Sequence, residues 1–406
     1  MPLAEAATRL AGHLSRQDFV DVYAHHDADG IAAGAIACTA LLRKGVRFRL
    51  RIVSHISPAA LSPETPTLLC DLGSGTGDLP PEVMVIDHHI PRFTGELQVN
   101  PRLCGIDGER ELSSAGAAFL VAQAMGDNRD LAGLVMLGII GDGQDLAGEN
   151  LAIFNDAVAL GLVSPDKGLL LPGRDDHERL YGAVAPYLHQ VSGDEVAVSD
   201  LLESASDGEK VSLSKLLSLV VLRVAPFAPA TTLESLYGTC YTLGREVISD
   251  AHTLAAVVDA CGKSGYGGLA ASLCLRSSTC LAEAYDRSFQ HRQNVIRAIR
   301  AACEKENPTG VIEVEDPAVA SDVADALSRD CPRSEPLVLV AARSRDLVFV
   351  SVRAVQGQKT ELGDDVHEVA LQLGGFGGGH RNRAGATIPA GRLPQFVDAL
   401  QRTVAA

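Results

Sequence analysis

Residues 25–30 read HHDADG, which places two imidazoles and two carboxylates in six positions directly after the apolar run DFVDVYA. The same side-chain types recur at Asp71 after TLLC, at Asp87, His88 and His89 after VMVI, and at Asp142 after LGIIG. A lone aspartate at such a place is ordinarily a helix cap or a turn residue. The joint pattern of H-x-D-x-D-G, a later aspartate, D-H-H and G-D points instead to metal binding. Mixed carboxylate and imidazole donors without thiolate suit manganese or magnesium better than a structural zinc, and several carboxylates allow one group to bridge two ions. Two such ions about 3.5–4 Å apart activate a water and stabilise the departing oxygen of a phosphoester.

Elements that could carry these groups to one place follow from the apolar patterning. The runs DFVDVYAHHD, FRLRIV, TLLCDLG and VMVIDHH read as strands, with helical stretches such as GIAAGAIACTALLRKG between them, which predicts βαβ units and a parallel sheet. In an open parallel sheet the carboxyl ends of the strands form the ligand-binding edge, so His25, Asp27, Asp29, Asp71, Asp87 to His89 and Asp142 are expected to converge from strand ends on one crevice. LSSAGAAFLVAQAMG reads as a helix capped by Ser113 or Ser114 and closed by Gly126. A second apolar segment, LAGLVMLGIIGD, follows it. From about residue 150 to 260 the pattern turns mostly helical. Beyond it CGKSGYGGLAASLCL reads as a glycine-rich loop into a strand, AYDRSFQHRQNVIRAIRAACEKE as a long helix, and VIEVED, PLVLVAAR and LVFVSVRA as strands. PQFVDALQRTVAA reads as a last helix.

The stretch GGFGGGHRNRAGATIP is informative in itself. Glycines let backbone N–H groups approach an anion closely, and His380, Arg381 and Arg383 supply positive charge, so Gly377, Gly378 and Gly379 with these three residues are read as a phosphate-binding segment. Lys263 and Arg276 are weaker candidates for the same face.

Bulk composition is that of an ordinary folded enzyme. The 406 residues, 46% hydrophobic, suffice for two domains with sizeable cores. A net charge of −16 argues against broad adhesion to nucleic acid or anionic membrane, although a local basic channel is compatible with it. With aromatics at 4%, nucleic acid would be held mainly by phosphate rather than by base stacking. Nine scattered cysteines without a C-x-x-C spacing read as free thiols. No signal-like start or membrane-spanning run is present, and a cytoplasmic location is expected.

The motifs HHDADG, DLGSG, DHH and GDGQD resemble those of the DHH phosphoesterases, especially RecJ-like exonucleases of archaeal type. GGFGGGHRNRAGA resembles the substrate-binding motif of their DHH-associated domain. The resemblance implies an α/β architecture: a parallel-sheet DHH domain over residues 1–189, a helical insertion over 190–250, and a smaller α/β substrate-binding domain over 251–406, with the active-site cleft between the two domains. It implies two divalent ions, manganese favoured and magnesium the alternative. His25, Asp27 and Asp71 would hold one, and Asp29, Asp71, His88 and Asp142 the other. His89 would face the phosphate, Asp87 would orient a histidine, and Gly377 to Gly379 with His380 would grip the nucleotide backbone across the cleft. His26 and Asp145 are not expected to be ligands. The activity so implied is exonucleolytic hydrolysis of single-stranded DNA or RNA to mononucleotides. Alternatives are a phosphodiesterase for short oligonucleotides or cyclic dinucleotides, and a replication scaffold binding GINS or the replicative helicase. The sequence ends before any OB-type domain like that of bacterial RecJ, so modest, salt-sensitive affinity is expected.

Overall fold

The computed structural model describes residues 2–405 apart from 63, 77–78, 209, 305–309 and 356–360. The chain forms two compact units, one of Met1–Asp166 with Thr239–Ser288, the other of Lys167–Gly238 with Phe289–Ala406. Among the described residues no helix is long and apolar enough to cross a membrane.

The first unit begins with α1 (Leu3–Leu14), β1 (Phe19–His25), α2 (Ala28–Arg43), β2 (Arg47–Val53), β3 (Thr67–Cys70), β4 (Met84–Ile86) and β5 (Gln98–Val99). The five strands make one parallel sheet in the order β2-β1-β3-β4-β5. Side chains alternate between its faces. Val22, Leu68 and Ile86 point into a large core shared with α2, whereas Tyr23, Leu69 and Val85 point the other way. There they pack in a smaller cluster with Ile56, Leu61 and Val83.

Helices α3 (Ser114–Met125), α4 (Ala132–Gly141) and α5 (Gly148–Ala159) and strand β6 (Val163–Leu169) follow. Ser113 caps α3, its side chain accepting from the Gly116 N–H, and Gly126 follows its last turn, as the sequence predicts. The apolar segment before Asp142 is helical. Its uninterrupted apolar character lets α4 bury nearly every residue, a pattern that periodicity alone does not separate from a buried strand.

The chain then supplies α6 (Asp176–Tyr181), α7 (Glu195–Ala205), β7 (Ser206–Asp207), β8 (Lys210–Val211), α8 (Leu213–Val224) and α9 (Ala230–Glu234) to the second unit. Through β9 (Tyr237–Leu243), which pairs with β6, it adds α10 (Ala251–Lys263), α11 (Gly267–Cys274) and the start of α12 (Leu281–Glu304) to the first. This division differs from the three segments read in the sequence. Leu254, Val258 and Leu273 belong to the same core as Ile31 and Leu134, which is why residues 239–288 sit with the first unit. The stretch expected to run from a glycine loop into a strand is instead the end of α10, a turn and α11. Gly262 explains part of its glycine content: a Cβ there would lie 1.8 Å from the His26 carbonyl oxygen.

The second unit continues with β10 (Val311–Val314), α13 (Ala320–Arg329), β11 (Leu337–Ser344), β12 (Leu347–Ala354), α14 (Leu362–Gln372), β13 (Phe376–Gly379), β14 (Arg383–Pro389) and α15 (Leu393–Ala405). Its sheet runs β10-β11-β12-β14-β13, with β10 and β11 parallel and the other pairs antiparallel. Alternation along β11 sends Val338 and Val340 to a core with α12 and α13, and Leu337 and Leu339 to one with α14 and α15. The helices between residues 176 and 234 pack around Leu180, Leu201, Leu216 and Val220. A buried pair, Arg292 with Glu178 at 2.5 Å, ties α12 to α6.

Candidate metal centre

Three strand ends and two helix ends of the first unit deliver the candidate residues. His25 closes β1, and Asp27 and Asp29 open α2. Asp27 fills the ordinary capping role as well: one oxygen accepts from the Gly30 N–H at 2.9 Å, while the other lies 2.8 Å from His25 Nδ1. Asp29 is buried at the N-terminus of α3 and accepts from the backbone N–H groups of Ser114 and Ala115, both at 2.8 Å. Asp71 follows β3 in a left-handed conformation, with φ at 59°. Such a backbone is uncommon for a non-glycine residue and is strained. It is held by the Asp71 N–H donating to the Ile86 carbonyl at 2.8 Å.

Asp71 stands at the middle of the group. Its Oδ2 is 3.3 Å from His25 Nδ1, and its Oδ1 is 3.4 Å from His88 Nε2. His88 Nε2 is also 3.3 Å from Asp142 and 3.9 Å from Asp29. Three sets of potential ligand atoms result within the first unit: His25 with Asp27 and Asp71, Asp29 with His88 and Asp142, and Asp71 with Asp87 and His89. Asp142 reaches this position from the C-terminus of α4, not from a strand end as the sequence suggested, because the preceding segment is a helix. Asp87 accepts from the Ser74 N–H at 2.8 Å through one oxygen, and its other oxygen lies 2.8 Å from His89 Nδ1.

Charge is unbalanced toward the negative. Burial, then Asp71 and Asp142, push the Asp29 carboxyl well above the usual range. Burial alone would lower His25, but Asp27 and Asp71 outweigh it and hold the imidazole well above its ordinary value. His88 is raised in the same way by Asp71, Asp142 and Asp29 against its burial. Protons are thus drawn into a cluster of carboxylates that a divalent cation would neutralise more completely, with release of those protons. The donor set, oxygen-rich with imidazole and no thiolate, fits manganese or magnesium. Cys70, the nearest thiol in sequence, is fully buried in the main core.

Residues 309–406 match the DHHA1 domain family. Over nearly the whole chain the protein is similar to an uncharacterized protein of Methanocaldococcus jannaschii, 26% identical over 430 residues, covering 95% of this chain and 93% of that one. Among solved structures it is similar to RecJ in complex with manganese from Thermus thermophilus, with a TM-score of 0.59 and 20% identity over 99% of this chain. The chain has a DHH-family, RecJ-like fold that ends in a DHHA1 domain. It spans 54% of that Thermus chain. The same RecJ-like fold is shared with CDC45 from Entamoeba histolytica, at a TM-score of 0.60 and 14% identity, with 99% of each chain covered.

In the DHHA1 domain the glycine-rich segment is a hairpin rather than a free loop. Gly377 to Gly379 lie in β13 and pair with β14, which begins at Arg383. The Gly377 carbonyl lies 2.9 Å from His367 Nδ1, the His380 N–H donates to the Arg383 carbonyl at 2.7 Å, and Arg381 pairs with Glu361 at 3.0 Å. His380 is buried. Lys263 pairs with Asp259 at 2.5 Å, and Arg276 with Asp130 at 2.7 Å and Glu246 at 3.0 Å, so both are engaged in structural ion pairs. Asp145 is an exposed partner of Arg110, and the His26 ring packs against that of His25.

Sequence reasoning missed the groups that hold the cluster in place. Ser114 Oγ donates to Asp71 Oδ1 at 2.9 Å. Gln144 Nε2 donates to the Gly108 carbonyl at 2.9 Å, and the same carbonyl lies 2.6 Å from His88 Nδ1. Asn100 Nδ2 donates to the His89 carbonyl at 2.9 Å. Gln144 lay inside the quoted GDGQD motif, but Gly108 and Asn100 lay outside every motif, where no local pattern marks them.

Proposed function

We propose that this chain is a metal-dependent phosphodiesterase that hydrolyses single-stranded DNA or RNA to mononucleotides. The observation that carries the reading is the carboxylate of Asp71, with one oxygen toward His25 and the other toward His88 at 3.3 and 3.4 Å. A bridging ligand between two ions needs such a two-sided position. His25, Asp27 and Asp71 would hold one ion, and Asp29, Asp71, His88 and Asp142 the other, manganese favoured. Bound as a pair, the ions supply an activated water and charge compensation for an in-line displacement at phosphorus.

The remaining work falls to the chain. Asp29 and Asp71 are pre-oriented by the start of α3, so little reorganisation is needed when charge develops on the phosphate. Asp87, despite burial, is held well below the usual carboxylate range by His89, and in return raises the His89 imidazole above its ordinary value against burial and keeps the ring aligned. Facing the phosphate, His89 would stabilise its oxygens in the transition state. The Gly377 to Gly379 backbone with His380, Arg381 and Arg383 would bind substrate phosphate through N–H groups and charge.

Hydrolysis of end-labelled DNA and RNA strands of several lengths, with manganese or magnesium, tests this. Stepwise release of mononucleotides, lost in Asp71→Ala, is expected. Cleavage confined to substrates of two to five nucleotides would replace the exonuclease with a short-oligonucleotide phosphodiesterase. No metal-dependent cleavage would favour a non-catalytic role in replication, with GINS or the helicase as partner.

A further inference from the structure

The edge strand β2 has the sequence RFRLRIV. Its alternation buries one set of side chains and exposes the other: Phe48, Leu50 and Ile52 pack on the main core, while Arg47, Arg49 and Arg51 are exposed. The three guanidinium groups therefore form one row along the outermost strand of the sheet. At about 3.3 Å per residue in a parallel strand, successive arginines stand about 6.6 Å apart. That is close to the separation of consecutive phosphates along an extended single strand.

The row is aligned with the candidate metal centre. Parallel register pairs Arg51 with Tyr23 and Val53 with His25, so the row stops one step short of His25. Tyr23 packs on the arginine side of the sheet, and His25, the last residue of β1, follows it by two residues and shares that face. Asp71 Oδ2 lies 3.3 Å from His25 Nδ1. Two contacts hold the row in place: the Arg51 guanidinium lies over the Tyr23 ring, 5.6 Å from its centroid, and Arg49 pairs with the buried Asp21. Asp21 offsets the charge of Arg49, which leaves Arg47 and Arg51 as the principal cations. In a chain of net charge −16 such an all-basic row on one strand is chemically specific.

We propose that Arg47, Arg49 and Arg51 form a phosphate-tracking ladder that binds the backbone of a single-stranded nucleic acid whose terminal phosphate lies at the metal centre. The ladder deepens the phosphodiesterase reading and rests on it for the position of that terminal phosphate. It sets a length requirement: a dinucleotide reaches no further than the metals, whereas strands of about four nucleotides and longer engage the arginines. The competing role of basic residues on an edge strand is to prevent pairing with another sheet.

The test is fluorescence anisotropy of labelled oligonucleotides of two, four and eight nucleotides, in chelator so that cleavage is off, over a range of salt. The variant is Arg47→Gln/Arg51→Gln. Arg49 is left in place because its removal would strand buried Asp21 and threaten the fold. Arg9→Gln/Arg129→Gln, at exposed arginines elsewhere in the first unit, removes the same charge as a control. The ladder predicts that the four- and eight-nucleotide strands lose at least tenfold in affinity only in the Arg47/Arg51 variant, with the salt slope falling by about 1.4 for two phosphates. The dinucleotide should be unchanged. Equal losses in both variants, or an unchanged slope, would overturn the ladder. Hydrolysis assayed in parallel separates the two claims. Ladder-dependent binding without metal-dependent hydrolysis would support the ladder and remove the phosphodiesterase, and hydrolysis with ladder-independent binding would do the reverse.

Discussion

Ser114 Oγ donates to Oδ1 of Asp71 at 2.9 Å, while the backbone N–H of the same serine donates to Asp29 at 2.8 Å. One residue at the start of α3 thereby fixes two carboxylates of the candidate centre. Substitution Ser114→Ala keeps the backbone bond and the Ser113 cap but frees the Asp71 oxygen. Loss of such a supporting hydrogen bond costs about 10- to 100-fold in metal affinity. Calorimetric titration with manganese should show that loss with Tm nearly unchanged, and equal affinities would mean that Ser114 does not orient Asp71.

Gly138 on α4 sits where a Cβ would lie 2.1 Å from Asp29 Oδ1 and 2.6 Å from Ser113 Oγ. Alanine is the better helix former by about 1 kcal/mol, so a gain in stability would follow if the space were open. It is not open. Gly138→Ala is expected to destabilise the protein by about 1–3 kcal/mol through overpacking and to weaken metal binding by displacing Asp29. A thermal melt and a manganese titration read the two effects, and a raised Tm with intact binding would contradict the packing described.

Arg276 joins Asp130 and the fully buried Glu246 carboxylate. Removing the guanidinium strands Glu246, whose carboxyl burial already pushes up. Arg276→Ala should cost about 3 kcal/mol in urea unfolding at neutral pH. Asp130 adds a pH signature. Hydrogen bonding to Arg43 and then Arg276 holds its carboxyl well below the ordinary 3.8. Its stabilisation is therefore present above that ordinary value and fades as the pH falls toward the depressed one. The stability gap between wild type and variant should narrow below pH 3.8; a gap constant with pH would remove Asp130 from the network.

Cys303 differs from the other thiols. A hydrogen bond from Cys331 stabilises its thiolate and lowers it to about 7 from 9.0, whereas burial raises Cys261 to about 12. Because the folded value is depressed, thiolate accumulates as the pH rises through about 7, well before an ordinary cysteine ionises. Iodoacetamide should therefore label Cys303 ahead of Cys261, with a midpoint near 7 that moves toward 9.0 in Cys331→Ala. A midpoint unmoved by that substitution would refute the thiol pair.

Much of the candidate centre was legible because its ligand types sit at the ends of short apolar strands, where period-two patterning locates both strand and end. His25, Asp71 and the DHH run are of this kind. Asp142 was expected beside the other candidate residues but on the wrong element, since a segment apolar on all sides carries no period. Gly262 illustrates a different limit: the packing of α10 on the His26 backbone depends on a contact some 236 positions away in the chain, the interval from 26 to 262. Ser114 looked like a cap, and capping is the role of its neighbour. The arginines of RFRLRIV were visible as residues, but their meaning needed the sheet order that makes β2 an edge.

The most direct test of the central claim is a crystal grown with manganese and measured at the manganese absorption edge. Two anomalous peaks about 3.5–4 Å apart are predicted, both in contact with Asp71, one shared with His25 and Asp27 and the other with Asp29, His88 and Asp142. A protein that hydrolyses phosphodiesters in manganese yet shows no peak at these residues, or a single ion that Asp71 does not touch, would contradict the account.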